Sequence, residues 1–442
     1  MTISRLASRL SALALGLVLA ACGGSGSPPR EATINCASIT GPNGQNRYVL
    51  DVMQHWYLWY DKLPSLSPAG FESPQALLDA LTDPVSDPVD RFSYLTTQAE
   101  EDALFDESRF VGFGFRQRVG TDSVTVLDVF EDGPADQGGL DRGSRILAID
   151  GVPIAEILET EDGLTDALGP REIGWEVEMT FRNRAGEEIT TTLVKDNVTI
   201  PPATAVQVLE VDGVSTGYLV FRNFVNPGIP ALNAAFDEFA DAGVTQLIVD
   251  LRYNGGGLLA VVNHFGNLLA SRDNPGLPFY TYRHNDRNSD RNETFLFATE
   301  PAARALSLDK LVFITTPATA SASEMLVNGL PPYVETATVG STTFGKPVGQ
   351  YGFRFCEQVL RPVSFQLVNA EGFGDYFDGI APDCPAVDNA SVPFGVAGED
   401  SFDAALHWLS TGSCPPVADV PAVERLLIEP PERPRYNPND AL

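Results

Sequence analysis

The chain has 442 residues, 43% of them hydrophobic and 20% charged, with a formal charge of −30 at pH 7. That length exceeds one compact core, and the composition is that of a globular, multidomain protein. So large an acidic excess excludes nucleic acid as a partner and excludes electrostatic docking on anionic lipid.

At the N-terminus, Arg5 and Arg9 precede "LSALALGLVLA", an apolar run of eleven residues. A membrane-spanning helix needs about 20, so residues 1–21 read as an export signal. The run ends in "LAAC", Leu19 to Cys22, which resembles the bacterial lipobox. That resemblance implies lipidation of Cys22 and an exported, membrane-anchored lipoprotein facing the periplasm or the cell surface. With Gly23 rather than Asp after the Cys, the resemblance extends to lipoproteins sorted to the outer membrane. Residues 22–45 then form a Gly/Ser/Pro tether.

Helical spacing of aromatic residues and leucines in "VLDVMQHWYLWYDKL" and "SPQALLDALT" predicts a helical N-terminal region over residues 46–105. From Arg109 the pattern turns to short strands: "RFVGFGFRQRV", "SVTVLDVF", "RILAIDGVPI", "WEVEMTFRN" and "EITTTLV". Residues 106–198 resemble a PDZ domain on the strength of "VGFGF" and "GPADQGGLDRGSRILAIDG". The resemblance implies that backbone N–H groups at Gly112, Phe113, Gly114 and Phe115 hold a peptide's C-terminal carboxylate. Glycines serving only tight turns in a small β-domain are the plainer alternative.

Beyond residue 199 strands and helices alternate. "GYLVFRNF", "TQLIVDLRY" and "DKLVFITT" read as strands, and "PALNAAFDEFADAG" and "LLAVVNHFGNLLAS" as helices, implying a mixed α/β sheet over 199–415 and a tail over 416–442. Between the last helix and strand, "SRDNPGLPFYTYRHNDRNSDRNETF" (271–295) reads as a polar loop that shapes substrate access or is inert.

In "TASASE", Ser321 and Glu324 have capping-box spacing ahead of an apolar helical run. A catalytic hydroxyl is the other reading, because "YNGGG" ends a different strand and Lys346, one of only four lysines, sits in "TFGKPVGQ". In this order, "RYNGGG", "TASASE", "TFGKPVGQ" and "GIAPD" resemble the carboxyl-terminal processing (tail-specific) serine proteases of the Ser/Lys type, S41-like peptidases that carry a PDZ domain. The resemblance implies that Ser321 is the nucleophile, Lys346 the general base and Gln350 its orienting partner. It places the oxyanion hole at the N–H of Ala322 with Gly256 or Gly257, and Glu324 and Thr343 in support. Substrates would be proteins or peptides recognised by their C-termini. Tyr253 and Ala318 depart from residues the family often has there, Asn and Gly.

A free Lys has a pKa near 10.4, so such a base must be buried in apolar surroundings. The alternatives are a Ser/His hydrolase using His264, which lies on "LLAVVNHFGNLLAS", a helix that needs its apolar face for the core, and an inactive, protease-like binding module. No cofactor is expected, and no metal: the histidines at 55, 264, 284 and 407 are scattered and the cysteine spacings fit no zinc pattern. Four cysteines besides Cys22 suggest two disulfides in an exported chain, Cys356–Cys384 between neighbouring strands and Cys36–Cys414 across the ends.

Overall fold

The computed structural model describes Cys36, Ile39 and residues 42–300 and 303–416. The export signal, the Cys22 anchor and nearly all of the tail lie outside the described residues.

The N-terminal region carries helices Pro42–Trp56, Pro74–Thr82 and Gln98–Glu107, the first of which begins inside the stretch read as tether, 22–45. The second and third starts have a chemical reason. The Ser73 hydroxyl caps the second helix by accepting the Ala76 N–H at 3.1 Å, with Pro74 at its first position, and Thr97 with Glu100 forms a capping box on the third. Met53, Leu77, Leu78 and Leu81 bury their side chains against Phe344, Val348 and Phe353, which belong to the far half of the chain. The region is therefore a wall of the later domain. Its one strand, Tyr94–Thr97, pairs antiparallel with Gln358–Arg361.

The second unit is an antiparallel sheet of Phe115–Val119, Val124–Val129, Arg145–Ile149, Glu176–Arg182 and Glu188–Val194. Burial alternates along Glu176–Arg182, so one face is packed and the other solvated. Arg109–Gly112 pairs with Asp196–Thr199 and closes the unit where the chain enters and leaves it.

The third unit carries a six-stranded mixed sheet. Val214–Phe221, Gln246–Asp250, Lys310–Thr315, Glu335–Gly340 and Cys384–Pro385 run parallel, with Ala203–Val211 antiparallel at one edge. Helices Gly228–Asp241 and Leu259–Ala270 cover one face through Phe236, Phe239 and Phe265. Asp400–Thr411 covers the other through Phe402, Ala405 and Trp408. Both faces are thus apolar, which is why Gln246–Asp250 is buried at every position rather than alternating.

Two expectations fail here. Residues 271–295 are not a loop: Pro278–His284 and Thr294–Leu296 form a hairpin, and the first strand also pairs with Val363–Asn369. Phe279 and Tyr280 are buried in it, so the aromatic alternation in "PFYTYRH" outweighs the polar residues around it. The disulfides join Cys36 to Cys356 and Cys384 to Cys414, not Cys356 to Cys384 and Cys36 to Cys414. Cys356 turns a hairpin in the three-stranded sheet with Tyr94–Thr97, whereas Cys384 belongs to the six-stranded one. Val363–Asn369, between them in sequence, leaves for a third sheet, so the two never become neighbours.

Candidate active site

Lys310–Thr315 ends at the loop leading into helix Ala322–Gly329, and Gln246–Asp250 ends at the glycine turn. These are adjacent parallel strands, so both carboxyl ends open on the same edge. Ser321 stands immediately before the helix with φ 58° and ψ −114°, a conformation costly for a residue with a Cβ. The Glu324 carboxylate holds it there by accepting the Ser321 N–H at 2.8 Å. The neighbouring hydroxyls are engaged elsewhere: Ser323 donates to the Asn254 carbonyl at 2.9 Å and Thr319 to that of Leu251 at 2.9 Å, both fully buried. Ser321 alone of the three is partly exposed.

The glycine turn is built against this serine. A Cβ on Gly256 would lie 2.8 Å from the Ala320 oxygen, the Ala322 nitrogen and the Ser321 Cβ, and its φ is +102°. Only glycine meets both demands. The Gly256 N–H donates to the Asn254 side-chain oxygen at 2.9 Å, so of the two expected donors it is already engaged. Phe224 bridges to the turn through Gly256 O and Leu258 N, a pairing in which the Gly257 N–H takes no part. The other face of Asn254 donates to Phe221 O at 2.7 Å, which pins the turn to the sheet.

Lys346 is 2% exposed, and its Nζ donates to Gln350 Oε1 at 2.6 Å. The Gln350 amide cannot flip, because its Nε2 already donates to Phe92 O at 2.5 Å and Arg361 O at 3.0 Å. Burial pushes the Lys346 pKa well below its ordinary value. Arg361 adds to that, while Glu324 and Asp90 pull the other way and lose. Glu324 is fully buried and accepts four bonds: Thr343 Oγ1 at 2.5 Å, Gly345 N at 2.6 Å, Lys346 N at 2.8 Å and the Ser321 N–H. Burial raises its pKa against the pull of those donors. One carboxylate thereby fixes the backbones of both Ser321 and Lys346. Thr343 in turn donates to Glu324 while its hydroxyl accepts the Ile380 N–H at 2.7 Å, seating "GIAPD" beside the site.

Residues missed from the sequence belong to the turn "DRFS". Asp90 accepts the N–H groups of Phe92 (2.9 Å) and Ser93 (3.0 Å) and the hydroxyls of Ser93 and Tyr57, which aims the Phe92 carbonyl at Gln350. An Asp followed by amides it can accept is a local turn signal, but nothing local says what the turn faces. His264 is elsewhere, on Leu259–Ala270, with Nε2 2.9 Å from Asn233 Oδ1. No group of three or more His, Cys, Asp or Glu among the described residues could hold a metal.

Gly112, Phe113 and Phe115 line a separate groove of about 410 Å³ with Gln117, Thr165 and Leu168. The carbonyls of Phe113 and Gly114 accept the N–H groups of Ala135 (2.7 Å) and Phe130 (2.9 Å). In planar trans peptides this turns the N–H groups of Gly114 and Phe115 the opposite way.

Comparison with known proteins bears on this arrangement. Residues 44–94 match the model of the peptidase S41 N-terminal domain and residues 215–386 that of peptidase family S41. The chain is similar to the carboxy-terminal processing protease CtpB of Bacillus subtilis, 25% identical over 281 residues, which are 62% of this chain and 53% of that protein. That match therefore spans about half of the Bacillus protein's length. A carboxyl-terminal-processing protease of Synechocystis is 26% identical over 308 residues, 68% of each chain. Among solved structures, a putative S41 protease from Bacteroides fragilis superposes with a TM-score of 0.66 at 24% identity, covering 82% of this chain and 97% of that one, a likeness of fold. On these grounds the chain belongs to peptidase family S41, a family of serine-type peptidases.

Proposed function

We propose that the chain is an endopeptidase in which Ser321 attacks the scissile carbonyl and Lys346 takes its proton. The observation that carries this reading is the buried Lys346 amine with its Gln350 partner locked in one orientation. A neutral amine has two N–H groups and one lone pair. Gln350 can only accept from it, so an N–H is directed there and the lone pair is left for the Ser321 hydroxyl. Ser321 Oγ bonds to the carbonyl carbon as its proton moves to Lys346 Nζ. The oxyanion is met by the Ala322 N–H, at a helix N-terminus, and by the Gly257 N–H. The Lys346 ammonium then returns the proton to the leaving amine, and water repeats the cycle on the acyl-enzyme. Glu324 and Thr343 hold the frame without entering the chemistry.

The groove at Gly112–Phe115 is, in this reading, a PDZ-type seat for the substrate's C-terminal carboxylate. It is supported by the outward N–H groups of Gly114 and Phe115. Export and lipidation at Cys22 would place the enzyme on the periplasmic side of a membrane or on the cell surface.

The test is peptide hydrolysis by three variants. Arg cannot act as a base in a protein, so Lys346→Arg is expected to be as inactive as Lys346→Ala and Ser321→Ala, since residues acting as one unit do not lose activity additively. Retention of more than about a tenth of wild-type kcat by Lys346→Arg, a barrier change of only about 1.4 kcal/mol, would reject the assignment. Amidating the substrate's C-terminus is expected to raise the apparent KM with little change in kcat. Equal KM values would assign the groove another role.

A further inference from the structure

The strap Phe344–Lys346 is held from two sides. On one side Glu324 accepts the N–H groups of Gly345 and Lys346. On the other, Arg91 Nη2 donates to the carbonyls of Phe344 at 2.8 Å and Gly345 at 3.4 Å. These are the two ends of the same two peptide groups, because the C=O of one residue and the N–H of the next point in opposite directions across a trans peptide. Each peptide plane thus lies between a guanidinium and a buried carboxylate. The Arg91 guanidinium also sits 4.2 Å over the Phe344 ring and reaches Phe377 O at 3.4 Å, tying the strap to the 373–380 segment. Arg91 comes from the N-terminal region, some 250 residues away in sequence.

We propose that Arg91 is the positioning residue for the Lys346 amine, clamping the strap against Glu324 so that Nζ stays in its dry pocket on Gln350. This rests on the Ser/Lys reading above. Arg91 touches neither the substrate nor the reacting atoms in this scheme. The groups that face Lys346 are Gln350, four residues further along in the strand Val348–Gln350, Arg361 from the three-stranded sheet, Glu324 from the Ala322–Gly329 helix and Asp90 from the turn. Those charges stay in place when Arg91 is replaced. What changes is how firmly the strap excludes water from the amine.

Arg91→Ala is therefore expected to lower kcat at pH 7 by about tenfold or more while KM stays within about threefold, as for a misplaced catalytic group. The midpoint of the rise of kcat/KM with pH should move upward, because a better-hydrated Lys holds its proton to higher pH. Arg91→Lys keeps a cation but not the planar fork, and should fall between the two. Circular dichroism and thermal melting establish that each variant is folded. A folded Arg91→Ala protein with kcat and pH midpoint unchanged would overturn the proposal. So would a loss of kcat with the midpoint fixed, which is the mark of a merely structural tie. If Arg91→Ala does not fold, the same midpoint measured on Arg91→Lys decides the matter by the same criteria. Lys346→Arg in the same assay separates failures: if it is active the Ser/Lys reading falls, and if it is dead while Arg91→Ala is unaffected only this inference does.

Discussion

In the proposed mechanism Lys346 is something unusual, an amine kept neutral inside a protein, and the cost of that is borne by the fold. Its pKa is depressed by burial first and by Arg361 second. Between the folded value and about 10.5 the unfolded chain binds a proton that the folded chain does not, so this residue makes stability rise with pH through that window. Replacing it with an apolar side chain of similar length removes the burden. Lys346→Met is expected to be inactive yet more stable than wild type at pH 7, with the advantage shrinking as the pH nears 10.5. Urea denaturation at several pH values measures this. Glu324 makes the opposite case. Glu324→Gln puts an NH2 in place of one carboxylate oxygen, where it meets two donors: Thr343 and Gly345 at Oε1, or Ser321 and Lys346 at Oε2. Each buried donor left unmatched costs about 1–3 kcal/mol, so both stability and activity should fall.

At the scale of elements, the glycine turn and the start of the Ala322–Gly329 helix act as one piece. Gly256→Ala forces a Cβ into a 2.8 Å approach to Ser321 and Ala322 at a positive φ. It is expected to cut kcat by about 100-fold or more, the scale of a disturbed oxyanion hole, while circular dichroism shows the fold retained. Much of this piece was legible in the sequence, because "NGGG" and "TASASE" each follow an apolar strand and carry their own turn chemistry. The strained φ of Ser321 and of Tyr253, and the capture of the Gly256 N–H by Asn254, were not legible. They depend on which strands lie side by side. The same holds for the "DRFS" turn and for Glu324 as the carboxylate next to Lys346: both are close in space and distant in sequence. The 278–296 hairpin was not legible for a local reason, polar turn residues masking a strand of buried aromatics. The disulfide pairing was not legible, because cysteines at strands close in the sequence belong here to different sheets.

At the scale of the molecule, the β-rich second unit grips the base of the glycine turn. Asp388 accepts from Arg142 at 2.8 Å and Arg118 at 3.3 Å, both from that unit, and from Arg252 at 3.1 Å and the Tyr253 hydroxyl, both just ahead of the turn. Burial alone would raise the pKa of Asp388; Arg142, Arg252 and Arg118 overcome it and hold it below the ordinary carboxylate range. A carboxyl group depressed in the folded state contributes stability that is present above its unfolded pKa of about 3.9 and lost as the pH falls further. Asp388→Ala leaves buried guanidinium groups short of their counter-charge. It should destabilise the protein by about 3–5 kcal/mol at pH 7 in denaturant unfolding, and by less under acid conditions.

The central claim is that a neutral Lys346 activates Ser321, and its most direct measurement is the pH dependence of Ser321 labelling by a fluorophosphonate, followed by mass spectrometry. The rate should rise through a single ionisation well below 10.5, the ordinary range of a lysine, and the label should be absent from Ser321→Ala and slowed by at least about 100-fold in Lys346→Arg at every pH. A rate that rises only near the ordinary lysine value, or a Lys346→Arg protein that labels as fast as wild type, would contradict it.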